Sequence, residues 1–125
     1  MKAKILVVDD SGLARRVTRK ILEEMGYEVE DAADGAQALE SYVLHRHDVV
    51  ILDLLMHGMY GGEVLQKLKE LNPALPVVIV TADIQRTTRE AVREAGAVAM
   101  INKPISKEEL EEVLRVVLSG GTVWN

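Results

Sequence analysis

Val49-Val50-Ile51-Leu52-Asp53 is a run of four apolar residues, three of them β-branched, cut off by a carboxylate. No polar residue alternates with the apolar ones, so both faces of the segment are apolar. That is the habit of a strand buried within a parallel sheet. Two other segments read the same way: Ile5-Leu6-Val7-Val8, which ends in Asp9-Asp10, and Val77-Val78-Ile79-Val80, which ends in Thr81. Tyr27-Glu28-Val29-Glu30 alternates and reads as an edge strand. Val98-Ala99-Met100-Ile101 is a weaker fifth candidate that runs through Asn102 into Lys103-Pro104.

Helical patterns fill the intervals. Leu13, Val17, Ile21 and Met25 recur every fourth residue, widened by Leu22 and stopped by Gly26. Ala36, Leu39 and Val43 follow Asp34 as a cap, and Val64, Leu65, Leu68 and Leu71 end at Asn72-Pro73. Thr88, Ala91, Val92 and Ala95 close at Gly96. Leu110, Val113, Leu114, Val117 and Leu118 follow a capping box made by Ser106 and Glu109. The order is βα repeated five times, which predicts an α/β fold: a doubly wound, five-stranded parallel sheet covered on both faces. One domain is expected over 1–118, with 119–125, rich in glycine at Gly120-Gly121, as a flexible C-terminal tail.

The composition narrows the function classes. In 125 residues there is no Cys, which removes disulfides, thiolate metal centres and cysteine nucleophiles and agrees with a cytoplasmic location. Hydrophobic residues make up 48% but aromatics only 3%, so the core is aliphatic and base-stacking platforms are not expected. A net charge of -5 argues against nucleic acid as a partner. No apolar run approaches the roughly 20 residues that span a bilayer, so no membrane association is expected.

The polar residues that end the strands carry the chemistry. In an open parallel sheet the carboxyl ends of the strands share one rim, where ligands bind. Asp9, Asp10, Asp53, Thr81 and Lys103 would all meet there. An Asp or Thr at such a place is as readily a plain helix cap as a functional group when taken alone; the joint set is not so explained. Three carboxylates in a partly dry site repel by several kcal/mol even at an effective dielectric of about 20, so cations must sit among them. Lys103 supplies one charge. An oxygen-only donor set suits Mg²⁺ or Mn²⁺ for the rest. A carboxylate in that setting is a nucleophile for phosphorus, with the lysine and the Thr81 hydroxyl facing the phosphoryl oxygens.

Asp9-Asp10, Asp53, Thr81-Ala82 and Lys103-Pro104, at these separations in a (βα)5 chain, resemble the receiver domains of two-component response regulators, and the short chain is similar to single-domain receivers of the chemotaxis CheY type. The resemblance runs from Lys4 to about Leu118. It implies a flavodoxin/CheY-like strand order of 2-1-3-4-5 and Asp53 as phosphoacceptor. It implies Mg²⁺ held by Asp10, Asp53 and the Leu55 backbone carbonyl, with Asp9 acting through a water, and Thr81 and Lys103 on the phosphoryl group. The implied partners are a histidine kinase or histidine phosphotransfer protein as donor and a protein effector on the helix 4/strand 5/helix 5 face. The domain is then no enzyme in the usual sense, although it takes part in its own phosphorylation and dephosphorylation. Thr81 and Met100 occupy the family's switch positions, and Met100 stands where an aromatic is usual. His57 stands where Pro usually follows the Met of the loop. Leu55 and Asp83, two residues beyond Asp53 and Thr81, flank the expected path of a hydrolytic water.

Other readings compete. The chain also fits a receiver excised from a larger regulator or hybrid kinase. An aspartate-nucleophile phosphatase needs a second acid two residues after the nucleophile, where Leu55 stands. A flavodoxin-like cofactor binder needs a Thr/Ser/Gly-rich loop after the first strand, where Asp9-Asp10 would repel a phosphate. Gly58, Gly61 and Gly62 match no phosphate-loop spacing and read as backbone flexibility. Arg15-Arg16 and Arg19-Lys20 read as a solvated face. His45 and His47, two apart at a predicted helix end, read as too poorly placed for a paired metal site.

Overall fold

The computed structural model describes residues 2–56 and 59–124, with the backbone alone at Met59. Its main sheet has five parallel strands: β1 (Lys4–Val8), β2 (Glu28–Ala32), β3 (Val49–Asp53), β4 (Val77–Thr81) and β5 (Ala99–Asn102). They are ordered β2-β1-β3-β4-β5, the order the resemblance implies. Five helices alternate with them: α1 (Gly12–Glu24), α2 (Gly35–His45), α3 (Gly61–Leu71), α4 (Arg86–Glu94) and α5 (Lys107–Leu118). Between β3 and α3, Leu55–Met56 and Met59–Tyr60 pair as a two-residue antiparallel ribbon that the periodicity does not announce.

The unbroken apolar runs are explained by two cores. Leu6, Val8, Val50, Leu52 and Ile79 point to one side, against Ala38 and Tyr42 of α2, Leu65 and Leu68 of α3 and Val92 of α4. Ile5, Val7, Ile51, Val78 and Ile101 point to the other, against Leu22 of α1 and Leu110 and Leu114 of α5. Successive side chains alternate between two dry faces, so every position must be apolar. Three helix starts are capped by side chains, Asp34 and Ser106 as the sequence suggests and Ser11 besides: Ser11, Asp34 and Ser106 accept from the backbone N–H of Ala14, Gln37 and Glu109.

The recurrence in α1 does not by itself settle which face is buried, and the expectation of a loose tail needs correction. In α1 the buried residues are Thr18 and Leu22, whereas Leu13 and Val17 are 66% and 52% exposed. The helix begins where β1 ends, so its first turns project past the sheet and border the rim instead of the core. The tail, expected to be loose, lies against the sheet through residue 124. The N–H of Val123 donates to the Val98 carbonyl at 2.8 Å, in a parallel bridge beside Ala99. The indole N–H of Trp124 donates to the Ala97 carbonyl at 3.2 Å, and its ring lies under the guanidinium groups of Arg89 and Arg93. β5 is an edge strand, and the tail pairs with the start of its outer side at Ala99. Among the described residues, no helix is long and apolar enough to cross a membrane.

Candidate functional site

At the carboxyl end of β1, the chain turns sharply. Asp9 is 6% exposed; its N–H donates to the Ala32 carbonyl, and its Oδ1 accepts from the N–H of Ser11 at 2.9 Å. Asp10 is half-buried beside it. Asp53 ends β3 at 4% exposure, and its Oδ1 accepts from the Leu55 N–H at 3.4 Å. The loop beyond is pressed onto this carboxyl end by Gly61, whose N–H donates to the Leu54 carbonyl at 2.8 Å. A Cβ at Gly61 would stand 2.6 Å from the Asp53 carbonyl oxygen and 2.7 Å from Leu54 Cα. This glycine serves close backbone approach, which corrects the reading of flexibility.

Lys103 enters from the far side of the sheet. Its Nζ donates to Asp9 Oδ2 at 3.2 Å and to Asp53 Oδ2 at 3.4 Å, joining residues 94 and 50 positions away in sequence. The Lys103 N–H donates to the Thr81 carbonyl at 2.9 Å, so β4 and β5 aim it at the rim. Burial opposes the ammonium charge, but the carboxylates of Asp53 and Asp9 outweigh it and hold the Lys103 pKa above its ordinary value. Asp53 is pushed up, first by burial and then by the charge of Asp9, with Lys103 acting against both.

Thr81 is fully buried at the end of β4. Its hydroxyl oxygen accepts from the Asp83 N–H at 3.1 Å and keeps its own proton to donate. Asp83 in turn organises the start of α4, accepting from the Gln85 N–H at 2.8 Å and the Thr88 hydroxyl at 2.6 Å. Met100 lies in β5 beside Ile79, partly buried against the α2/α3/α4 core. His57 lies outside the described residues.

The structure therefore brings Asp9, Asp10, Asp53, Thr81 and Lys103 to one rim. Carboxylate oxygens of the three aspartates lie within 4.8 Å of one another. Three carboxylates against one ammonium leave two formal negative charges, and the donors are all oxygen, a set that fits a hard divalent cation. One participant escapes sequence reasoning. The Arg15 guanidinium donates to the Asp9 carbonyl at 2.7 Å, tying α1 to the acidic turn. Its place one helical turn after the Ser11 cap is the signal that could have separated it from Arg16.

Residues 5–115 match the family model described as the response regulator receiver domain. The response regulator MprA of Mycobacterium sp. (strain KMS) is 38% identical over 118 residues, 94% of this chain and 51% of that protein. MprA of Mycobacterium tuberculosis (strain ATCC 25177 / H37Ra) is 37% identical over the same share. The chain thus spans about half the length of the curated relatives it matches. Among solved structures, a CheY-like receiver domain protein from Methanospirillum hungatei superposes with a TM-score of 0.90 at 31% identity, covering 95% of each chain. Chemotaxis protein CheY4 of Vibrio cholerae superposes with a TM-score of 0.88 at 32% identity, covering 92% of this chain and 98% of that one.

Proposed function

This chain belongs to the response regulator receiver domain family, and from that premise we propose that Asp53 is the phosphoacceptor of a two-component phosphorelay. The observation that carries the reading is the Lys103 ammonium held between Asp9 and Asp53. A purely structural ion pair needs one carboxylate, and a second buried one beside it costs folding energy without return. A site that receives a phosphoryl group needs the excess.

In the proposed reaction a carboxylate oxygen of Asp53 attacks the phosphorus of a phosphohistidine. The P–N bond breaks, the imidazole leaves with its electron pair, and an acyl phosphate remains on Asp53. Lys103 works against the burial and the Asp9 charge that disfavour the Asp53 carboxylate, and then faces the incoming phosphoryl oxygens. The Thr81 hydroxyl, while accepting from the Asp83 N–H, turns its proton toward one of them. Asp10, Asp53 and the Leu55 carbonyl would hold Mg²⁺ or Mn²⁺, with Asp9 through a water. The ion supplies charge neutralisation for the phosphoryl oxygens.

A histidine kinase or histidine phosphotransfer protein is the proposed donor. The exposed Leu13 and Val17, bordering the hollow shared with Asp9, Lys103 and Ile105, give such a protein an apolar footing beside the acceptor. The proposed output is a protein effector bound on the face of α4, β5 and α5. Met100 in β5 fills the switch position without a ring, so the proposed readout passes through a flexible side chain.

The test is incubation with Mg²⁺ and acetyl phosphate, followed by intact mass spectrometry of wild type and Asp53→Asn. A phosphoryl adduct on wild type alone is expected. An adduct that persists in the variant, or none on either protein, sinks the assignment.

A further inference from the structure

We propose that Glu30, His45 and His47 form a second divalent-cation site, of the zinc-like class, where the middle of edge strand β2 faces the turn between α2 and β3. It is separate from the aspartate rim in both place and chemistry.

Two histidines two positions apart on a helix point to different faces, which is why the sequence discourages pairing them. The helix does not continue through them. α2 stops at His45, and Arg46 takes the left-handed conformation at φ 49° and ψ 66°, with its N–H donating to the Tyr42 carbonyl at 2.8 Å. That single reversal brings His47 back beside His45. Both rings then meet Glu30, which projects from edge strand β2. His45 Nδ1 is 3.0 Å from Glu30 Oε1 and His47 Nε2 is 2.6 Å from the same oxygen. All three donor atoms lie within 4.8 Å of one another.

Those spacings suit a small tetrahedral ion. Zinc with bonds of ~2.1 Å keeps its donor atoms ~3.4 Å apart, so the Glu30 contacts need to open by less than an ångström. The side chains that must move are free to do so, with Glu30 40% and His45 45% exposed. The anchor is fixed: the His47 side chain is fully buried. The exposed side leaves a fourth position for water, and two nitrogens with one oxygen are donors of the zinc class rather than the magnesium class.

The protonation chemistry agrees. Each ring nitrogen facing Glu30 places on that oxygen a proton that a cation replaces. His47 Nδ1 is buried without a hydrogen-bond partner, so nothing on the far side of the ring fixes the tautomer. The proton can pass to Nδ1 when Nε2 gives its lone pair to a metal. Burial pushes the His47 pKa down, against the pull of Glu30, which favours the neutral ring that metals bind. The nearby cations are modest opponents: Lys4 bears on His47 electrostatically, while the Arg46 guanidinium is drawn over the Tyr42 ring at 5.3 Å. A bound ion would clasp the edge strand β2 to the turn between α2 and β3.

The test is calorimetric titration of Zn²⁺ into the full chain under excess Mg²⁺. The comparison set is His45→Ala, Glu30→Ala and an Asp10→Asn/Asp53→Asn variant that disables the rim. Circular dichroism verifies that each is folded. One equivalent should bind wild type and the rim variant alike. Removing one of three direct ligands should weaken binding by about 100-fold or more, since even outer-shell changes cost about 10–100-fold. Cobalt should give the visible absorption of tetrahedral coordination in wild type and lose it in His45→Ala. No zinc uptake, uptake indifferent to His45 and Glu30, or uptake that disappears with the rim variant would overturn the proposal.

Discussion

Asp53 shows what the site costs the fold. Its carboxyl is buried beside Asp9 and has a raised pKa, so in the native state its ionised form is disfavoured even with Lys103 alongside. The folded pKa exceeds the unfolded one, so the unfolded chain holds fewer protons across that interval. The contribution of Asp53 to stability is therefore most favourable below the ordinary carboxylate pKa and is lost as pH rises through the folded value. In metal-free buffer, Asp53→Asn should be more stable than wild type by roughly 0.5–2 kcal/mol at neutral pH. The gap should close below about pH 4, where Asp protonates in both states. Paired urea titrations at several pH values check this, and a variant no more stable than wild type at pH 7 contradicts it. Gly61 makes the complementary case. Its Cα faces backbone atoms of Asp53 and Leu54, which cannot step aside as a flexible side chain would. Gly61→Ala should cost roughly 1–3 kcal/mol and slow phosphorylation from acetyl phosphate by displacing the acceptor. Unchanged denaturation and rate would remove the steric account. Nothing in the sequence separates Gly61 from Gly58 and Gly62, because the constraint comes from a strand end brought near only by folding.

The strands were legible because burial on two faces leaves no polar residue in the run, and Val49–Leu52 can satisfy its surroundings in few other ways. The helix faces were less so. In α1, a recurrence of every four residues from Leu13 to Met25 fits a core stripe, but Leu13 and Val17 stand in solvent at the rim while Thr18 is buried. Hydropathy cannot tell an apolar residue that packs inside from one that waits for a partner, and it undervalues a threonine. The same limit hid the His45/His47 convergence, which depends on one left-handed residue that is not a glycine. The docking role proposed for the exposed pair can be tested apart from the chemistry. A small phosphodonor needs no docking surface, whereas a protein donor does. Leu13→Asp should lower phosphotransfer from the cognate protein donor by about 10-fold or more, the effect of losing ~1.4 kcal/mol of contact energy. Acetyl phosphate should still label the variant at the wild-type rate. Equal losses with both donors would place Leu13 in the architecture of the site instead of at its docking surface.

At the scale of the whole molecule, the C-terminal tail and the site meet at β5. Lys103 follows this strand directly, Met100 lies within it, and the tail bridges its first residue through Val123 while Trp124 donates to Ala97 just before it. The stretch Gly120-Gly121-Thr122 looks loose because nothing local orders it; the order comes from an edge strand that exists only once the sheet forms. Trp124 is the chain's one tryptophan, and its ring lies 5.2 Å from the Arg89 guanidinium carbon and 5.7 Å from that of Arg93, both on α4. Cation–π contacts at such a partly exposed place contribute about 0.5–1 kcal/mol each, little enough to be remade when α4 shifts. The start of α4 is tied to the site through Asp83: its N–H donates to the Thr81 hydroxyl, and its side chain holds Gln85 and Thr88. If Thr81 is drawn toward a phosphoryl group, as proposed, the pull on Asp83 would shift Arg89 and Arg93 over the indole. Beryllofluoride with Mg²⁺, a stand-in for the acyl phosphate, should therefore change the Trp124 emission of wild type and leave Asp53→Asn unaltered. Replacing Asp83 with Ala should diminish the change while leaving beryllofluoride bound, since Asp83 relays the movement and does not touch the ligand. Emission that stays constant as beryllofluoride binds would mean that the α4–β5 face does not report the state of Asp53, and the output would have to leave the domain elsewhere.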